Sequence, residues 1–147
     1  MGRWQDGRST LRIGGAGGGS TGLSEAREAS LSEAPPAGQG SSRAPGPAIP
    51  VEIATSYRAR TRGLLGRDGI EGALLLTPAS GVHTFRMRFP IDVAYLDRRL
   101  RVIAVRTMKP GRLGLPRLRA RHVLEAEAGA MARWGLRPGA EVEIEIG

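Results

Sequence analysis

The distribution of apolar positions along the chain changes abruptly at Val51. From Met1 to Pro50 there is almost no apolar periodicity. Runs such as Gly14 to Ser20, and then Pro35, Pro36, Pro45, Gly46 and Pro47, carry too little packable side chain to offset their ordering entropy. Residues 1–50 are therefore expected to form a disordered Gly/Pro/Ser/Ala-rich tail, and residues 51–147 a single β-rich domain. Val51 to Ala54 alternates as a strand, and Thr55 or Ser56 is placed to cap a short helix from Tyr57 to Leu65, limited by Gly63 and Gly66. Ala73–Leu76, Val82–Phe89, Ile91–Leu96 and Arg101–Val105 follow as short strands at the spacing of a barrel or sandwich. A strand from His122 to Ala126 leads into one or two helical turns at Gly129–Trp134, with Gly135 as the stop. Pro138 and Gly139 suit the centre of a type II turn, and Glu141 to Ile146 then alternates with its glutamates on one face. The pattern predicts a compact antiparallel β-barrel or sandwich-like domain with one or two short helices.

Composition narrows the chemistry. The 147 residues include no Cys, which removes disulfides, thiol nucleophiles and thiolate metal sites. Two histidines do not suffice for a closed zinc site, so no metal and no cofactor is expected. No apolar run has the length of a membrane span or a secretory signal core. The default expectation is a cytoplasmic protein without a transmembrane segment, with secretion left open should the start codon be misassigned.

Charge adds a direction. The formal net charge is +8, and residues 51–147 hold seventeen basic against ten acidic side chains, about +7 of it. The most lopsided stretch contains Arg98, Arg99, Arg101, Arg106, Lys109, Arg112, Arg117, Arg119 and Arg121 with no acidic residue between them. Its middle, Lys109 to Pro116, reads as a long loop on a β scaffold, where binding residues tend to sit. An anionic polymer, a phosphate-bearing ligand or an acidic protein is the partner this implies. Arg62 and Arg67 add to the set of candidate ligand-binding cations. GC-rich coding, which favours Arg, Ala, Gly and Pro together, is the bland alternative. Arg99 or Arg101 is also placed to pair with the row Glu141, Glu143 and Glu145. Aromatic residues are absent from the basic stretch, so a base-stacking platform for single-stranded nucleic acid is missing.

A second candidate site is acid–base. Strand alternation puts His83, Phe85, Met87 and Phe89 on one apolar face, where His83 would need a partner. Asp92, just after the Pro90 break, is the natural one. Glu125 lies in an otherwise apolar strand and also needs a partner, with Arg62 or Arg67 as providers. His83, Asp92 and Glu125 in a cleft would make a catalytic site such as that of a hydrolase; the same set also serves as a structural clip.

The runs RGLLGR (Arg62–Arg67), VHTFRMRFPIDVAYLD (Val82–Asp97), VLEAEAG (Val123–Gly129) and WGLRPGAEVEIEI (Trp134–Ile146), in that order, resemble the bacterial and archaeal domain-of-unknown-function family 192. The resemblance spans nearly all of Val51 to Ile146. It implies a largely antiparallel β fold with short helices and no settled activity. Where relatives often carry a Cys, this chain has Ala79, Ser80 and Gly81, so no thiol role carries over. Arg98 and Arg99 occupy a hairpin where glycine is usual, and Glu127 stands where a proline is common. The leading functional expectation is a small binding or accessory module for an anionic ligand. The alternatives are the acid–base enzyme and a purely structural interaction protein.

Overall fold

A computed structural model describes residues 4–14 and 47–145. Nine strands and two short helices follow one another: β1 (Gly7–Gly14), β2 (Ala48–Ala54), α1 (Tyr57–Arg62), β3 (Ala73–Leu76), β4 (Val82–His83), β5 (Ile91–Leu96), β6 (Val102–Met108), β7 (Leu113–Gly114), β8 (His122–Glu127), α2 (Ala130–Trp134) and β9 (Glu141–Glu145). Seven strands form one sheet in the order β6-β5-β8-β3-β2-β1-β9, and β4 pairs with β7 in a small ribbon. Pairing is antiparallel except between β2 and β3. The sheet curls until its two outer strands meet at one end. There Arg101 bridges Glu141 by backbone pairing and by a 3.0 Å ion pair. This is the mainly β, barrel-like architecture the sequence predicts, and the Arg101–Glu141 pairing is as expected.

Both faces of the sheet are covered, which is why β3, β5 and β8 read as almost unbroken apolar runs. One face packs Leu11, Val51, Leu75, Leu96, Leu124 and Met131. The other packs Leu64, Leu76, Val82, Ile91, Tyr95 and Val123. Because successive residues alternate faces, β3, β5 and β8 contribute to both cores.

Residues 7–14 correct the expectation of an unfolded tail. They form β1, inserted between β2 and β9 with Leu11 fully buried opposite Ile49 and Ile144. Asp6 fastens the segment further: one carboxylate oxygen accepts from the Thr55 amide, the Thr55 hydroxyl and the Ser56 amide. These donors hold its carboxyl well below the usual range. Trp4 meets the edge of the His122 ring at 5.7 Å. β2 also begins before the expected boundary, at Ala48. The rest of the expected tail lies outside the described residues.

Val82–Phe89 is the second correction. Pairing ends at His83, because Thr84 turns inward and clasps the loop opposite. Its hydroxyl donates to the Lys109 carbonyl and accepts from the Arg112 amide, and its carbonyl accepts from Gly111. Arg86 then takes a positive φ of 60°. Ser56 caps α1 by accepting from Ala59, but the helix stops at Arg62, short of Leu65, where Gly63 takes a positive φ; β6 runs past Val105 to Met108, and the expected Lys109–Pro116 loop contains β7. A turn closed by the Ala140 amide on the Arg137 carbonyl carries Pro138 and Gly139 at its centre, as the pattern puts them. The glycine-free hairpin at Arg98 and Arg99 is held by Asp97, which accepts from the amides of Arg99 and Arg101 while Leu100 adopts φ 63°. Glu127 simply extends β8, paired with Ile91.

Candidate functional site

Cross-strand register decides which candidate residues can meet. Glu125 pairs with Leu74 of β3 and Val93 of β5 and shares their face. Asp92 pairs with Ala126 and projects to the opposite face. The expected grouping of His83, Asp92 and Glu125 is therefore separated by the sheet itself.

Asp92 is occupied on its own side. One oxygen accepts from the Thr107 hydroxyl at 2.7 Å, and the other from the amides of Gly129 at 2.9 Å and Met131 at 3.2 Å. The carboxylate thus satisfies backbone donors at the start of α2, where a negative charge also suits the helix dipole. It joins β5, β6 and α2 and makes no bond to His83. Asp92→Ala is expected to lower stability by about 2 kcal/mol with little change in denaturant slope, measured by urea unfolding.

His83 is exposed rather than on a buried apolar face, with its ring stacked on Phe85 at 5.4 Å. It does share a small pocket of about 80 Å³ with Glu125, between the end of α1 and β4. Arg62, Leu64 and Leu65 wall one side, Val82 and Met87 the other. Gly63 lines it as well. Its φ of 46° and ψ of −126° suit only glycine, and a Cβ there would stand 4.0 Å from the nearer Glu125 oxygen.

The Glu125 carboxyl is 4% exposed, and its Oε2 has no hydrogen-bond partner. Burial pushes it up to about 7. Neither expected arginine serves it. Arg67 is drawn off by Glu52 at 2.8 Å, and Arg62 lines the pocket without an ion pair to Glu125. His122, which the sequence pattern marks only as a strand residue, is buried as well. Its Nδ1 shares a 2.6 Å hydrogen bond with the Thr77 hydroxyl, and desolvation holds it below the ordinary histidine range despite Asp97 nearby.

The basic stretch builds a different site. A pocket of about 690 Å³ opens between β6 and the Lys109–Arg117 loop, with Arg106, Lys109, Arg112 and Arg117 around it. Leu113, Leu115, Pro116, Met108 and Tyr95 complete the wall, and no acidic residue lines it. Among the described residues none of these four cations takes part in an ion pair. The Arg117 guanidinium lies 4.8 Å over the Tyr95 ring, and its buried Nε has no acceptor. Gly114 lets β7 pass close to Tyr95, since a Cβ there would fall 2.7 Å from the Tyr95 hydroxyl. Arg121 lines a separate groove beside α1, and Arg119 lines neither pocket.

The model of the family described as Uncharacterized ACR, DUF192, matches residues 40–144. The chain belongs to DUF192. It is similar to a UPF0127 protein of Pyrococcus horikoshii, at 34% identity over 84 residues, 54% of this chain and 73% of that one. A UPF0127 protein of Pyrococcus abyssi is 30% identical over 98 residues, 63% and 84% of the two chains. Two crystal structures share the fold. One, from Sinorhizobium meliloti, is named a candidate transcription regulator (TM-score 0.65, 16% identity, 97% and 98% coverage of the two chains). The other is a protein of unknown function from Novosphingobium aromaticivorans (TM-score 0.63, 19% identity, 92% and 83% coverage). DUF192 membership brings no assigned activity with it. It does bear on the geometry: three of the runs that carry the DUF192 resemblance meet at one place. Arg62 to Leu65, Val82 with His83 and Met87, and Glu125 all line the same small pocket.

No helix among the described residues is long and apolar enough to cross a membrane.

Proposed function

We propose that this protein is a binding module for an anionic ligand that also carries apolar surface, seated in the pocket between β6 and the Lys109–Arg117 loop. The observation that carries this reading is the convergence of four cations on one pocket without an acidic partner. Unpaired arginines in a row on a flat face would be solvated and of little consequence; around a concavity their potentials add and focus. The loop is also anchored: Thr84 grips it at Lys109 and Arg112, and the Arg117 amide donates to the Ser80 carbonyl. A held loop loses less entropy on binding than a free one. Leu113 and Leu115, 63% and 74% exposed, give the ligand's apolar part somewhere to lie.

Fluorescence or calorimetric titration with decyl phosphate tests the reading, with inorganic phosphate and a DNA duplex as comparisons. Decyl phosphate is expected to bind better than inorganic phosphate, and to weaken as salt is raised. Replacing Lys109 and Arg112 together by Ala should reduce affinity tenfold or more, about 1.4 kcal/mol. Arg119→Ala, just beyond that loop and outside the pocket, should leave it unchanged. Equal losses from both variants, or preference for the duplex, would refer the binding to net charge and overturn the pocket.

A further inference from the structure

We propose that the pocket over Glu125 is a second binding site, for a neutral saccharide ring, with the Glu125 carboxyl accepting from a ligand hydroxyl. The first support is an unmet need. A carboxyl nine-tenths buried normally has donors gathered around it, as Asp92 does on the other face of the same sheet. Glu125 has none for Oε2, yet the residue lines a pocket beside Gly63.

The chemistry of the walls selects the occupant. A metal ion wants several anionic or imidazole ligands, and among the described residues no three such side chains group together. An anion would face the carboxylate. An ammonium would meet the arginines already on the rim, Arg60 and Arg62, and would exchange its water shell for Leu65, Leu76, Val82 and Met87. A hydroxyl avoids each difficulty. It is small enough for about 80 Å³, loses little hydration, donates to Glu125 and still accepts from a guanidinium.

The remainder of the ligand has a place as well. An open groove of about 470 Å³ adjoins the pocket and shares Arg60, Thr61, Leu76 and Gly81 with it. Tyr57, 80% exposed at the first position of α1, lines that groove. An aromatic face beside hydrogen-bonding groups suits a pyranose, whose C–H face stacks while its hydroxyls reach the polar groups. Arg60 is already fixed across the junction: its Nε donates to the Thr55 carbonyl and its Nη1 to Pro78. That rigidity gives the groove a defined shape before a ligand arrives.

Amide chemical shifts of the full chain, followed while glucose, maltose, sorbitol, ethylammonium and acetate are added in turn to millimolar levels, distinguish the outcomes. Glucose or maltose should move the amides of Gly63, Val82 and His83, and sorbitol, lacking a ring to stack, should bind several-fold more weakly. Glu125→Leu should reduce sugar affinity tenfold or more, and Tyr57→Ala by several-fold. Should the Leu variant not fold, Glu125→Gln, which keeps the shape and loses the carboxylate, is expected to weaken binding about fivefold. Arg119→Ala, outside both pockets, should leave sugar binding unchanged. Shifts produced by ethylammonium in place of the sugars, shifts centred away from Gly63, no response to either sugar, or full affinity in the Glu125 variants would each overturn the proposal.

Discussion

A chain beginning at Pro47 is expected to lose cooperative folding, or to unfold at far lower urea than the full chain. Sheet order requires this: β1 lies between β2 and β9, so its removal leaves β2 paired on one side only and takes from β9 its neighbour in the sheet. It also empties the space of Leu11, which is fully buried in the larger core. The point variant Leu11→Ala isolates the packing part and should cost about 2–5 kcal/mol. Circular dichroism with urea unfolding measures both. Full stability in the truncated chain would mean that β2 and β9 pair directly without β1. The same result governs the anion pocket: although little net charge lies before Val51, binding there will not survive deletion of the whole N-terminal segment if the sheet does not.

Glu125→Leu is expected to stabilise the protein by about 3 kcal/mol at pH 8 and by much less at pH 4. The carboxyl titrates near 7 when folded against 4.5 as its ordinary value. Below about 4.5 it is protonated in both states, and ionisation sets no penalty. As pH rises from there to about 7, the unfolded chain gives up its proton first, so stability falls; above 7 the full cost is present, at ~1.4 kcal/mol per unit of separation. His122 contributes with the opposite sign, since its folded value is lowered and its penalty belongs to the acid side. It is common to both proteins and cancels in their difference. Urea midpoints of the two proteins from pH 4 to 8 check the claim. A Leu variant less stable than the parent at pH 8 would show that Glu125 is held by a donor. A residue whose removal strengthens the fold is one retained for something other than the fold.

Much of the architecture was legible because buried strands announce themselves in apolar, β-branched runs: Ala73–Leu76, Ile91–Leu96 and His122–Ala126 all stand where the pattern puts them. β1 was not, since Arg8, Ser9, Thr10, Leu11, Arg12 and Ile13 include only two apolar residues and the flanking glycines mask the alternation. One partner, β9, lies at the other end of the described chain, and the other, β2, more than thirty residues on, both beyond the reach of a local window. The Asp6 carboxylate that pins it is likewise visible only once Thr55 and Ser56 are beside it. Glu125 stood out as a charge in an apolar strand, but its distance from Asp92 depended on register, and one residue of register exchanges the faces of a sheet. His83 misled because the alternation from Val82 to Phe89 is genuine in sequence and broken in space by Thr84. The convergence of Arg106, Lys109, Arg112 and Arg117 was legible as a charge run; that they enclose a pocket was not.

The pairing of the first described strand with the last has a consequence for how this chain reaches its fold. Leu11 meets Ile144, and Arg12 meets Glu145 at 2.6 Å across 133 positions of sequence. Contacts so distant are slow to form, because the whole intervening loop must be closed before they return any energy. During synthesis β1 leaves the ribosome first and waits for β9, with a half-apolar edge unpaired in the meantime. This protein is therefore expected to fold after translation rather than along with it, and that interval is when a chaperone would matter most.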